Sequence, residues 1–178
     1  GSSCLVTLRL GELTKETSLR LCVPGRHNVS NALAAIATAT CLGIDTETAV
    51  NALGYFTGVE RRFQRYRTSN NIDVVDDYAH HPTEIAAVIE TAKLSCPRRL
   101  VVLFQPHRYT RTARLLTRFG KSLSCADEVL LTNVYAASES RIEGVDAFAI
   151  AAEIGRFASI PVHVVDSMDF AVTRAVAS

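Results

Sequence analysis

Two patterns of apolar and polar positions follow one another along the chain. Residues 4–23 predict a hairpin, with Leu5-Val6-Thr7-Leu8 and Leu19-Arg20-Leu21 as strands and a polar turn over 11–17. Pro24-Gly25-Arg26-His27 breaks that pattern, and Asn28 is placed to cap a helix running to about Cys41, where Gly43 stops it. Asp45 then caps a second helix that runs through Ala49, Val50 and Leu53 to about Phe56. These elements do not complete a sheet-based domain, so the first third reads as the tail of something larger.

From about residue 61 the pattern becomes strand–helix alternation. Residues 72–75, 100–104, 129–132 and 162–165 are short apolar runs, each followed by a helical segment. Ile85, Val88, Ile89 and Ala92 recur at helical spacing behind Pro82, and Leu115, Leu116, Phe119 and Leu123 form the apolar face of the next helix. Continuous apolar strands between amphipathic helices predict a parallel sheet covered on both sides. The expected fold class is α/β: a small, doubly wound, mostly parallel, Rossmann-like domain over 61–178, preceded by a partial α/β segment over 1–60.

In open parallel sheets, ligands bind beyond the carboxyl ends of the strands. The segments there are Asp76-Asp77-Tyr78-Ala79-His80-His81, then Gln105-Pro106-His107-Arg108-Tyr109-Thr110-Arg111, then Asn133-Val134-Tyr135-Ala136-Ala137-Ser138-Glu139, and finally Asp166. The first two hold three of the five histidines and should converge on one mouth. Loops of this kind are also polar simply because they face water. Arg108 and Arg111 stand three apart at a helix start, so both can grip one small anion, as guanidinium forks grip carboxylates. Arg114 and Arg118 fit a solvated helix face. Of the cluster Arg61, Arg62, Arg65 and Arg67, Arg62 or a neighbour is placed to reach a phosphate, while the others decorate a strand edge. His80, His81 and His107 with Asp76 or Asp77 invite a metal reading, but the spacing lacks helical His pairs or Cys ligands and no metal site is expected. His163, inside an apolar strand, reads as structural. Gly120-Lys121-Ser122 is not a phosphate loop, because Leu115 stands where the required glycine would be and the tripeptide lies late in a helix.

Composition narrows the classes. Apolar residues make up 48% and charged residues 21%, which suits a globular chain, and the formal charge of +1 argues against a nucleic-acid partner. The five cysteines are odd in number and widely spaced, which favours a reducing compartment over a disulfide framework. No apolar run approaches the roughly 20 residues of a membrane span, and no secretory signal opens the chain. A cytoplasmic location and no membrane partner are expected.

Four ordered motifs carry a family resemblance. Residues 24–35 (Pro24-Gly25-Arg26-His27-Asn28-Val29-Ser30-Asn31-Ala32-Leu33-Ala34-Ala35) resemble the helix entry in the ATPase domain of Mur ligases, and Gly58-Val59-Glu60-Arg61-Arg62-Phe63 resembles the hinge into their C-terminal domain. The segments 75–84 and 103–112 look like the family members that add L-alanine to UDP-N-acetylmuramate. Ser138 departs from the glycine common before the glutamate, which weakens any role for that loop. The UDP-binding domain and the Gly-Lys-Thr loop are not in this sequence, so residues 1–178 alone are expected to be inactive.

The resemblance implies an ATP-dependent, Mg2+-assisted carboxylate–amine ligase of peptidoglycan synthesis, working through an acyl phosphate that the alanine amine attacks. It places 1–60 in the ATP-binding domain and 61–178 in an amino-acid-binding domain that closes as a lid. Carried over by motif, Asn31 contacts adenine, His27 braces the helix start, Arg62 approaches the nucleotide phosphates and Asp77 bonds the ribose. Tyr78, His80, Arg108 and Arg111 surround alanine, with the arginines on its carboxylate. His80 either relays the amine proton or only orients the amine, Asn31 alternatively packs in its helix, and Tyr78 alternatively belongs to the core. The rival readings are a sister ligase (another Mur type, or a folylpolyglutamate type), a metal-dependent hydrolase and a nucleic-acid-binding module.

Overall fold

In a computed structural model, residues 1–10, 13–68, 72–95 and 97–177 are described. The chain divides into two compact units, one of residues 1–66 with 73–77 and the other of 67–72 with 78–178.

The first unit opens with β1 (Ser2–Leu10) and β2 (Leu13–Leu21), an antiparallel pair in register from Ser2 opposite Leu21 to Leu10 opposite Leu13. This corrects the predicted polar turn over 11–17. Thr14, Lys15, Glu16 and Thr17 are strand residues opposite Arg9, Leu8, Thr7 and Val6. The ladder has one solvated face, so polar residues can continue it while the alternate positions reach the core. Residues 11 and 12 lie outside the described chain.

Next comes α1 (Arg26–Cys41), whose N-cap is Gly25 at φ 99, not Asn28. That left-handed turn, cheap for glycine, starts the helix three residues earlier than expected. Asn28 lies inside the first turn and donates its Nδ2–H to the Pro24 carbonyl at 2.7 Å. The helix ends as predicted, with Gly43 at φ 81 and its N–H on the Thr40 carbonyl. The cap of α2 (Thr46–Gly54) is Asp45, whose Oδ2 accepts from Glu47 and Thr48 N–H. Val6, Leu19, Leu21, Ala32, Ile36 and Val50 form this unit's core.

The predicted strand at 72–75 is present as β4 (Asp73–Asp76), but it pairs with β3 (Gln64–Arg67) and not with the parallel strands. The Thr68 N–H bonds the Ile72 carbonyl at 3.0 Å, and Arg65 meets Asp73 at 2.9 Å, so local pairing captures this strand.

In the second unit, β5 (Val101–Phe104), β6 (Glu128–Thr132) and β7 (Val162–Val165) form a parallel sheet in that order. Helices α3 (Pro82–Lys93), α4 (Tyr109–Leu123) and α5 (Ala147–Gly155) build one core with Phe104, Val129 and Leu131, through Ile85, Ile89, Phe119, Leu123, Ile150 and Ile154. The alternate positions of β6, Glu128, Leu130 and Thr132, are also buried, and α6 (Met168–Ala177) packs against all three strands. Side chains alternate across a strand, so every residue of β6 is buried because both faces are covered. The α/β, parallel-sheet expectation holds.

Candidate functional site

The loops leaving β5 and β6 at their carboxyl ends are tied together. Tyr135 N–H bonds the Pro106 carbonyl and Arg108 N–H bonds the Tyr135 carbonyl, both at 2.8 Å, forming a short parallel bridge between His107 and Tyr135. Arg108 is the N-cap of α4, yet its φ is 75 and its side chain makes no cap bond. The cap comes from the neighbouring loop. Glu139 Oε2 accepts the Thr110 N–H at 2.9 Å and Oε1 accepts the Thr110 hydroxyl at 2.7 Å. These bonds, with the Arg108 guanidinium 3.7 Å from Oε1, hold the Glu139 carboxyl below the usual carboxylate range.

A row of rings crosses the same mouth. Tyr78 meets His80 edge-on at 5.3 Å, His80 stands 6.3 Å from His107, and His107 lies 5.4 Å from Tyr135. Burial lowers the His107 pKa, and the nearby Arg111, Arg108 and His80 lower it further. Its Nδ1 is buried without a hydrogen-bond partner among the described residues, and so is Nη1 of Arg111. A buried guanidinium N–H without a partner, beside a second arginine, is costly unless something accepts from it. An anion with carboxylate geometry would do so. Tyr78, His80, Arg108 and Arg111 are therefore brought together, as the sequence suggested. Tyr78 is half exposed and not a core residue.

The His80 ring has a defined tautomer. Its Nδ1 lies 3.0 Å from the Tyr78 carbonyl, which can only accept, so in the neutral ring Nδ1 carries the proton and the lone pair is on Nε2. Glu84 fixes the turn by accepting from the N–H groups of His80 and His81 at 3.0 and 3.1 Å. Burial alone would raise its pKa, but those two bonds hold it below the usual range. His81 caps α3, its Nδ1 accepting from Thr83 N–H at 3.3 Å. The metal reading thus loses one donor to a helix cap, and no cluster of three or more His, Cys, Asp or Glu suited to a metal ion occurs among the described residues.

The four residues assigned to nucleotide lie in the first unit. A cleft of about 420 Å³ there is lined by Val23, Pro24, Asn28, Gly58, Arg62 and Phe63, among others. Of the four, Arg62 lines it. Asp77 stands behind its wall, Oδ2 accepting the Phe63 N–H at 2.8 Å. His27 and Asn31, one turn apart on α1, are half-buried and exposed and do not line the cleft. Asn28, not assigned to nucleotide in the sequence, does.

Sequence reasoning also passed over Tyr135 and discounted the Glu139 loop because of Ser138. Ser138 has φ 70 and Ala137 φ 48, so the glycine common in the family suits the backbone there, and serine still delivers Glu139 to Thr110. The available signal was the glutamate itself, near the end of a strand-following loop.

Comparison with known proteins bears on the family and the fold. The family profile described as "Mur ligase, glutamate ligase domain" matches residues 61–178. The UDP-N-acetylmuramate–L-alanine ligase of Desulforamulus reducens is 52% identical over 127 residues, 71% of this chain and 28% of that protein. The enzyme of the same name from Solibacter usitatus is 47% identical over 159 residues, 89% of this chain and 34% of its own length. Among solved structures, the Thermotoga maritima UDP-N-acetylmuramate–alanine ligase superposes with a TM-score of 0.66 at 38% identity, covering 85% of this chain and 32% of that one. The chain thus spans about a third of the length of the relatives it matches. No described helix is long and apolar enough to cross a membrane.

Proposed function

The chain belongs to the Mur ligase family, and from that we propose that it supplies the amino-acid-binding part of an ATP-dependent ligase joining L-alanine to UDP-N-acetylmuramate. The observation that carries this reading is the cationic corner at the start of α4, where the buried Arg111 Nη1 has no partner among the described residues and stands near Arg108 and His107. Relatives named for this reaction are 45–52% identical over most of the chain. In this reading residues 1–60 belong to the ATP-binding domain, residues 61–178 bind the amino acid, and the reaction takes place in the cytoplasm.

Arg108 and Arg111 hold the alanine carboxylate through charge-assisted bonds, leaving its amine towards Tyr78 and His80. An ammonium cannot attack a carbonyl. His80 Nε2, the unprotonated nitrogen of the ring, takes the proton from the amine, and the Tyr78 carbonyl keeps the tautomer that leaves Nε2 free. Holding amine and carbonyl in line can lower the barrier by several kcal/mol, roughly 7–11 at the limit. In the first unit the cleft beside Arg62 and Asn28 fits a nucleotide in volume and in its basic lining. Arg62 would approach the phosphates there, whereas Asn31 for the adenine, Asp77 for the ribose and His27 at the helix start do not line this cleft and rest on the motif resemblance alone. ATP, with Mg2+, supplies the phosphoryl group that turns the muramoyl carboxylate oxygen into a leaving group.

Steady-state assay of the full-length ligase with UDP-N-acetylmuramate, ATP, Mg2+ and a panel of amino acids tests the proposal. ADP release should depend on L-alanine, fall for glycine and L-serine, and be absent with L-glutamate. Preference for glutamate, or release without the muramoyl substrate, would move the chain to a sister ligase.

A further inference from the structure

The geometry points to Glu139 as a positioning residue that sets the Arg108 guanidinium for the substrate carboxylate, an inference resting on the function proposed above. The Arg108 backbone is at φ 75, its side chain is about half exposed, and among the described residues its guanidinium pairs with Glu139, at 3.7 Å. That distance makes an ion pair and not a hydrogen bond, so the guanidinium is oriented while its N–H groups stay available to a ligand.

Glu139 is itself firmly held. Both carboxylate oxygens are bound by Thr110, and its own N–H bonds the Ala136 carbonyl at 3.0 Å. The loop reaches this arrangement through two consecutive non-glycine residues at positive φ, Ala137 and Ser138. Such strain persists only where surrounding contacts fix it. One carboxylate therefore caps α4 and aims the arginine at the start of that helix. The β6 loop becomes part of the amino-acid site without touching the amino acid.

The test uses the full-length ligase with Glu139→Gln and Glu139→Ala. A carboxamide oxygen can still accept the Thr110 N–H, so E139Q keeps the cap and loses the charge facing Arg108. For E139Q we expect a KM for L-alanine raised about fivefold, the upper range for an exposed ion pair. Its kcat should stay within about twofold, with the KM for ATP and the Tm unchanged. E139A, losing the cap as well, should lower Tm and raise the alanine KM further. An unchanged alanine KM in E139Q, or a common fall of kcat and Tm, would overturn the inference in favour of a purely structural cap. Nitrogen relaxation at Arg108 Nε needs no substrate. Order in the wild type that is lost in E139Q supports the positioning role, and order retained in E139Q contradicts it. If the wild type ignored alanine, the proposed function would fail while this readout still decided the role of Glu139.

Discussion

At position 108 an arginine takes a backbone conformation that side chains seldom adopt, φ 75, which costs of order 1–3 kcal/mol. Two backbone bonds at 2.8 Å and the Glu139 bridge hold the loop around it. Next to it, His107 has its pKa lowered by burial and by Arg111 and Arg108. The sign of its pH effect follows. The unfolded chain takes up a proton near the ordinary value of 6.5, while the folded His107 resists doing so until lower pH. The stability linked to His107 is therefore fully present above about 6.5 and is lost as pH falls through the folded value. Proton NMR of the imidazoles should show His107 titrating below 6.5, and His107→Gln should flatten the decline of Tm on acidification from pH 7 to 5. A midpoint above 6.5 would contradict this.

Among the elements, α4 joins fold to site. It carries Arg108 and Arg111 at its start and buries Phe119, Gly120 and Leu123 further on. Gly120, part of the rejected phosphate-loop match, sits in the packing with α5. A Cβ there would lie 2.7 Å from the backbone carbon and Cβ of Glu153. Gly120→Ala should cost about 1–3 kcal/mol by overpacking, measurable by urea denaturation, and a neutral result would mean that the two helices are not so closely set. The periodicity of α3 and α4 was legible because Ile85, Ile89, Phe119 and Leu123 face one core. The length of β2 was not, since a half-solvated strand such as Thr14–Thr17 has the same composition as a turn. Nor was the partner of β4, which is chosen by the Thr68–Ile72 and Arg65–Asp73 contacts and not by its own apolar pattern.

On the scale of the whole molecule, the two ends of the parallel sheet do different work. At the start of β6, Glu128 is almost fully buried among Arg99, His163 and Arg174. This ion cluster ties α6 and the segment before β5 to the sheet and explains the histidine read as structural in β7. At the carboxyl end, the loops bring His80, His107, Arg108 and Arg111 to one mouth. The sequence revealed that mouth through its density of His and Arg. It did not reveal Glu139 or the tautomer of His80, which depend on contacts between loops far apart along the chain. The most direct measurement is the KM for L-alanine of the full-length ligase carrying Arg111→Ala. Loss of charge-assisted bonds worth about 1.5–3 kcal/mol predicts a rise of roughly 10- to 150-fold, with the KM for ATP unchanged. An alanine KM equal to that of the wild type, or a rise confined to ATP, would contradict a carboxylate grip at the start of α4.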